Sequence, residues 1–322
     1  MRKVKMVKMQ FTSPVRFGEP GIGLERASKY CPSDTLFSAI LNSLARITDD
    51  VGDVVQNFLN SSPPFRISSA FPFSGERFFI KKPLIPPIIT DERGEEIRRE
   101  LKGAEFISLQ TLKAWIEGIE TCKLIELIKE DKEILESSVK RELLPRVQLD
   151  RLSSTSNLFY AKVLHFAHDA GLWFAVDGGN EGFQLVEIAM RQLSDDGIGG
   201  ERSSGMGRFD LKTGEIELPE MGERSKTYLL LSLWWPNRWE QERKVWRDGT
   251  YEVIERRGWA FSSIVRAQMR RKSVLMFSDG SVFWKIKPEG GVADVTPLGW
   301  PKNSHKIYRY GLAFTISIGA KR

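Results

Sequence analysis

The chain has 322 residues, 41% of them hydrophobic and 28% charged, proportions of a folded globular protein rather than a disordered one. Lysine and arginine outnumber aspartate and glutamate by 48 to 42, a net charge of +6, which permits an anionic partner without demanding one. Two cysteines, Cys31 and Cys122, are too few for a disulfide framework or a cysteine zinc site, and they suit a reducing compartment.

At about 150 residues per domain the length suggests about two domains. The apolar run Leu229–Trp235 is far below the ~20 residues that span a bilayer. Lys3, Lys5 and Lys8 interrupt any signal-peptide core near the start. A cytoplasmic protein with no membrane partner is expected.

Charge is unevenly spread. Residues 1–30 hold seven basic and two acidic side chains, residues 238–272 ten and five, and residues 302–322 five and none. The stretch 91–142 is the reverse, with ten basic and fourteen acidic. Basic segments gathered on one face would form a phosphate-binding surface; kept apart, they are ordinary solvated faces.

Residues 3–12 predict a strand ending with Val7, Met9 and Phe11 inward and Lys8, Gln10 and Thr12 outward. A loop with Pro14, Gly18, Pro20, Gly21 and Gly23 follows, carrying Arg16, Arg26 and Lys29. Ser33 then reads as the N-cap of a helix whose apolar face is Leu36, Phe37, Ile40, Leu41, Leu44 and Ile47, with Asp34 suited to the dipole. Prolines at 63, 64, 72, 83, 86 and 87 break residues 61–90 into two short aromatic strands, and 91–142 reads as a charged helical insertion. Residues 158–167 and 171–177 predict a hairpin, and 181–193 a helix with Leu185, Ile188, Ala189 and Gln192 or Leu193 on one face. After a glycine-rich loop comes a strand at 208–212.

The order is βα, insertion, ββαβ, the split arrangement of ferredoxin-like domains. The expected fold is therefore α+β with two ferredoxin-like domains. The first, 1–218, holds a Pro-rich and charged insertion at about 61–150. The second, 219–322, is degraded: strands at 228–235, 251–256, 258–263, 274–278, 281–286 and 306–318, a short helix at 237–247, and Asp279-Gly280 as a two-residue hairpin turn.

The loop 197–207 has five glycines in eleven positions. Glycine admits positive φ and close backbone approach, and successive exposed N–H groups can form an anion-binding concavity. Ser203 and Ser204 add hydroxyls, while Arg202 and Arg208 add forks that match phosphate oxygens. Gly200 and Gly205 have P-loop spacing, but Met206-Gly207 stands where that motif needs Lys and Ser or Thr. The helix-loop-strand order is also the reverse of a dinucleotide site. A tight connection with no ligand is the competing reading.

Gly197-Ile198-Gly199-Gly200-Glu201-Arg202-Ser203-Ser204-Gly205-Met206-Gly207-Arg208-Phe209 resembles the C-terminal glycine-rich loop of RAMP proteins, the RNA-binding subunits of CRISPR systems. More narrowly, Gly21-Ile22-Gly23-Leu24-Glu25 followed by Ser33-Asp34-Thr35-Leu36-Phe37-Ser38-Ala39-Ile40 is similar to subunit four of type III-A Csm complexes. Similar stretches are Pro145–Arg151, Asp279–Phe283 and Tyr308-Arg309-Tyr310-Gly311. The resemblance implies a non-catalytic, cofactor-free subunit that binds the repeat-derived 5′ handle of the crRNA. Its implied neighbours are the large polymerase-like Csm subunit and the backbone RAMP subunit. It puts phosphate cradling on Gly197, Gly199, Gly200, Arg202, Ser203, Ser204, Gly205 and Gly207, with Arg208. Position and charge add Arg16, Arg26, Lys29 and Ser33 as a second contact and His305 as a further one.

The alternative is a metal-independent RNA-processing endonuclease, as some RAMP relatives are. His165 and His168 read as core and turn residues, and no His or Cys cluster has zinc spacing. Asp195-Asp196 read as capping or solvated acids before a metal pair. Trp234, Trp235, Trp239 and Trp246, like Tyr308 and Tyr310, read as packing residues before base-stacking ones.

Overall fold

The computed structural model describes residues 1–18, 26–90, 94–149, 156–221, 225–262 and 267–319. In chain order, β1 (Arg2–Phe11) leads through a loop to α1 (Ser33–Ile47) and α2 (Val51–Leu59). Short strands β2 (Arg66–Ile67), β3 (Phe71–Ser74) and β4 (Arg77–Lys81) follow. Then come α3 (Gly94–Gly103), β5 (Phe106–Ser108), α4 (Leu109–Glu117) and α5 (Thr121–Ser138). A long pair, β6 (Val139–Leu149) and β7 (Ser156–Phe166), precedes β8 (Ala170–Asp177), α6 (Asn180–Asp196) and β9 (Phe209–Leu218).

These elements build a seven-stranded sheet in the order β5-β4-β3-β8-β1-β9, with β2 also paired to β8. β1 and β9 pair antiparallel from Arg2↔Leu218 to Phe11↔Phe209, and β1 pairs antiparallel with β8. α1 and α6 cover one face. There Val7, Met9 and Phe11 pack with Leu36, Phe37, Ile40, Val186, Ala189 and Leu193. The buried stripe of α6 is Gly182, Val186, Ala189, Met190 and Leu193, whereas Ile188 is exposed. Val4 and Met6, on the other face of β1, are buried as well, because Leu229, Phe314 and Ile316 from the C-terminal part pack into the same cluster.

Three local expectations are corrected. The pattern missed α2, which buries only Val54 and Phe58. β7 does not form a hairpin with β8: it pairs along its whole length with β6, from Val139↔Phe166 to Leu149↔Ser156, and β8 joins the main sheet. The Pro-rich segment 61–90, expected as part of an insertion, adds β2, β3 and β4 to the main sheet, and the charged stretch after it adds β5.

The C-terminal part contains β10 (Thr227–Leu230), α7 (Arg238–Arg243), β11 (Gly249–Thr250), β12 (Val253–Arg256), β13 (Trp259–Ser262) and β14 (Ala267–Arg270). It ends with β15 (Val274–Phe277), β16 (Val282–Trp284), β17 (Gly290–Asp294), β18 (Tyr308–Leu312) and β19 (Thr315–Ser317). Four strands form a sheet in the order β11-β16-β10-β19; β12-β15, β13-β14 and β17-β18 are two-stranded ribbons. Among its described residues the α-helical content is α7, six residues long. Asp279-Gly280 does not close a hairpin, since β15 pairs with β12 and β16 with β10 and β11. Instead the Gly280 N–H donates to the Leu230 carbonyl and its own carbonyl accepts from Leu84 N–H.

A buried polar seam joins the two parts. Asp34 is 1% exposed and accepts from Arg256 Nε at 3.0 Å and Nη2 at 2.8 Å, and from Arg309. Burial pushes the Asp34 carboxyl up, but the charges of Arg256 and then Arg309 outweigh it and hold it below the usual range. Ser69 Oγ accepts from Ser33 N–H and donates to the buried Asp279 Oδ1. The Tyr310 hydroxyl accepts from Ile67 N–H while its ring packs 4.6 Å from Phe37.

Candidate nucleic-acid interface

The glycine-rich loop links α6 to β9 and lies against residues 14–16. Gly207 N–H donates to the Pro14 carbonyl and Gly200 N–H to the Arg16 carbonyl, while Val15 exchanges two hydrogen bonds with Leu164 of β7. This short extended run is thus held between the loop and the β6-β7 arm. Inside the loop, Ile198 N–H donates to the Gly207 carbonyl and Gly205 N–H to that of Arg202, with Arg202–Ser204 forming one 3-10 turn. From the arm, Arg146 reaches Ser204 Oγ at 3.4 Å.

The glycines divide by role. Gly197, Gly199 and Gly207 all have positive φ, and a Cβ there would meet the Met206, Arg16 and Ile198 carbonyl oxygens at 2.3, 2.5 and 2.0 Å. Gly197 and Gly207 are buried and let the loop close on itself. Gly205, with φ +82° and nothing within 4 Å, faces open space, whereas a Cβ at Gly200 would sit in ordinary contact with Arg16, 3.5 Å from Nη1. The N–H groups of Gly197, Ile198, Gly200, Ser204, Gly205 and Gly207 are all spent inside the fold. A continuous run of free amides is therefore not what this loop offers.

What it offers is one wall of a cavity of about 420 Å³. Gly199, Gly200 and Arg202 form that wall, Arg16 and Phe17 a second, and Thr35, Ser38 and Asn42 on α1 a third. Trp259 and Arg271, from the C-terminal part, complete it. Three guanidinium groups thus line one cavity beside the first turns of α1, whose dipole adds positive potential. Arg16 is 9% exposed and its Nε has no partner among the described residues. Burial lowers the pKa of Arg16 despite the opposing charge of Glu201, and that of Arg271 through burial first and the like charge of Arg309 next. Cations stripped of water beside an open cavity gain most from an anion.

Other predicted residues lie elsewhere. Ser33 is fully buried and its hydroxyl accepts from Leu233 N–H, so it belongs to the seam; the N-cap is Pro32, not Ser33. Arg208, Ser203, Ser204 and Arg26 are exposed but outside the cavity lining. Lys29 is half-buried, its pKa lowered by burial and then by Arg141. His305 is exposed, edge-on to Trp300, and no histidine lines the cavity. Asp196 pairs with Arg46 at 2.8 Å. Trp234 is buried in the core, as is Tyr310. Residues 21–25 and Asp150-Arg151, part of the family resemblance, fall outside the described residues. The sequence reading missed Trp259 and Arg271; the basic surplus of 238–272 was the one signal that pointed to their segment.

Comparison with known proteins bears on this arrangement. Residues 223–318 match the CRISPR Csm4 C-terminal domain. The CRISPR system Cms protein Csm4 of Thermococcus onnurineus is 29% identical over 298 residues, 89% of this chain and 91% of that protein. The chain is similar to CRISPR Csm4 proteins along most of its length. The Csm4 protein of Mycobacterium tuberculosis is 27% identical, with 92% of each chain covered. A chain from the crystal structure of a Csm1-Csm4 cassette in complex with cA4 matches with a TM-score of 0.65 at 22% identity, covering all of both chains. A chain from the Csm3-Csm4 subcomplex of the type III-A interference complex matches at 0.64 and 19%, covering 98% of this chain and 99% of that one. At these identities the structural likeness is one of fold. The Csm4-like stretches Ser33–Ile40, Asp279–Phe283 and Tyr308–Gly311 supply the seam residues Ser33, Asp34, Asp279, Arg309 and Tyr310, and the first of them also gives the cavity Thr35 and Ser38.

Proposed function

We propose that this chain is the non-catalytic RNA-binding subunit of a type III-A CRISPR interference complex. It holds the 5′ repeat-derived handle of the crRNA and bridges the large polymerase-like subunit to the backbone RAMP subunit. The observation that carries this reading is the cavity where Arg16, Arg202 and Arg271 converge beside Gly199 and Gly200. Such a site takes the phosphates of a single strand, which position the RNA, while unstacked bases give preference. Solved complexes of Csm4 with Csm1 and with Csm3 support the bridging role. The antiparallel order β9-β1-β8-β3, with α1 after β1 and α6 after β8, supports reading residues 1–218 as a ferredoxin-like RAMP domain.

The test is to incubate the purified chain with labelled handle RNA and its precursor, without divalent metal, and to score retention and cleavage. The expected result is retention of the handle with no cleavage. The log–log salt slope should be about 0.7 per phosphate neutralised. Cleavage abolished by changing His168 or His305 would instead establish the endonuclease reading. Absence of handle-dependent binding at any salt would leave only a protein scaffold.

A further inference from the structure

Among the described residues, Trp259 is the one large aromatic side chain that both lines the arginine cavity and stands well exposed, at 53%. Phe17, which also lines it, is 2% exposed and belongs to the core. The indole is held in place. The Arg270 guanidinium lies 5.2 Å from its ring centroid, directly across the β13-β14 ribbon. Arg271 Nε donates to the Trp259 carbonyl at 3.0 Å, and Arg271 N–H to that of Gly258. One residue earlier, the Arg257 carbonyl accepts from Arg309, whose other nitrogen is bound to Asp34. The seam therefore fixes this ribbon against the first turns of α1, where Thr35 and Ser38 form the facing wall.

We propose that Trp259 is a base-stacking residue: one unpaired nucleobase of a single-stranded RNA seats against its indole, with the flanking phosphates on Arg16, Arg202 and Arg271. Three features fit this occupant. An exposed indole in a polar cavity is a surface every base can stack on, and stacking tolerates any sequence. The volume of about 420 Å³ is within the range of sites for one nucleotide-sized group. The unpartnered Arg16 Nε leaves a buried donor for a phosphate or ribose oxygen. The inference rests on the cavity holding RNA and adds which side chain reads the base.

The full-length chain is titrated with fluorescent single-stranded oligouridylate, by anisotropy, across a salt series. Trp259→Ala is expected to weaken binding by about tenfold with the salt slope unchanged, because no charge is removed. Trp259→Phe should keep most of the affinity, and Trp239→Ala, at an exposed tryptophan outside the cavity, all of it. Arg202→Ala should lower the slope by about 0.7. Wild-type affinity in Trp259→Ala, while Arg202→Ala still weakens binding, would overturn the stacking role and leave the RNA reading standing. No effect of either variant would sink both. Independently of any variant, 5-bromouridine crosslinking of the wild-type protein should map to Trp259; crosslinks confined to other residues would also overturn the inference.

Discussion

The carboxylate of Asp34, in the first turn of α1, accepts two hydrogen bonds at 2.8 and 3.0 Å from the guanidinium of Arg256, 222 positions later in the chain. Arg309 binds the same carboxylate from β18. One buried acid thus fastens a helix of the first part to two strands of the second. Removing it leaves two guanidinium groups, 9% and 4% exposed, without a counter-charge. Asp34→Asn should cost roughly 3–5 kcal/mol, read as a lower urea midpoint; an unchanged midpoint would show that the pair carries no stability.

Two buried carboxyls should respond to pH in opposite senses. Asp34 lies below its ordinary value, so its stabilisation is complete above about pH 3.9 and is lost as pH falls through the folded value. Asp279 is pushed up by burial against the charge of Lys81, so its contribution is greatest below about pH 3.9 and is lost as pH rises through its folded value. Asp279→Asn keeps an acceptor for Ser69 Oγ and removes that loss. Urea midpoints should therefore separate the variant from wild type progressively as pH rises above about 3.9, in favour of the variant.

The loop glycines give a matched pair. Both Gly205 and Gly207 have φ near +80°, so alanine at either pays the left-handed penalty of about 1–2 kcal/mol. Only at Gly207 does the new Cβ also strike backbone, 2.0 Å from the Ile198 carbonyl oxygen. Gly207→Ala should lower stability by roughly 3 kcal/mol or more and Gly205→Ala by about 1, measured by urea unfolding.

Arg208 follows the loop in sequence, but it is exposed and is not among the residues that line the cavity with Arg271. In handle-RNA titrations Arg271→Ala should reduce both affinity and the salt slope, the latter by about 0.7. Arg208→Ala should leave the slope within error. The opposite ranking would put the RNA on the outer side of the loop.

Much of this arrangement could be read from residue order. β1, α1, α6 and the loop between α6 and β9 follow from local signals: alternation, three-and-four spacing and clustered glycines. The failures share a cause, which is that long-range partners decide them. Asp279-Gly280 has the composition of a tight hairpin, yet the Gly280 amide finds Leu230 and its carbonyl finds Leu84. β7 looks continuous with β8 across a turn, but eleven residue pairs with β6 claim it instead. Ser33 looks like a helix cap until Leu233 takes its hydroxyl. Trp259 and Arg271 reach the glycine loop only through the tertiary fold, so no spacing rule connects them to Gly199 or Arg202.

The seam also governs the order in which the molecule is made. On a ribosome the strands β1, β8 and β9 emerge well before β18 and β19, yet Tyr310, Leu312, Phe314 and Ile316 are integral to the packing on both faces of that first sheet. Until the C-terminal part arrives, Val4, Met6 and Leu218 stay wet, and Asp34 meets Arg256 first and Arg309 only with the final strands. A nascent chain stalled near residue 218 should therefore be a client for holding chaperones, and severing the gene there should yield two sticky fragments in place of two autonomous modules.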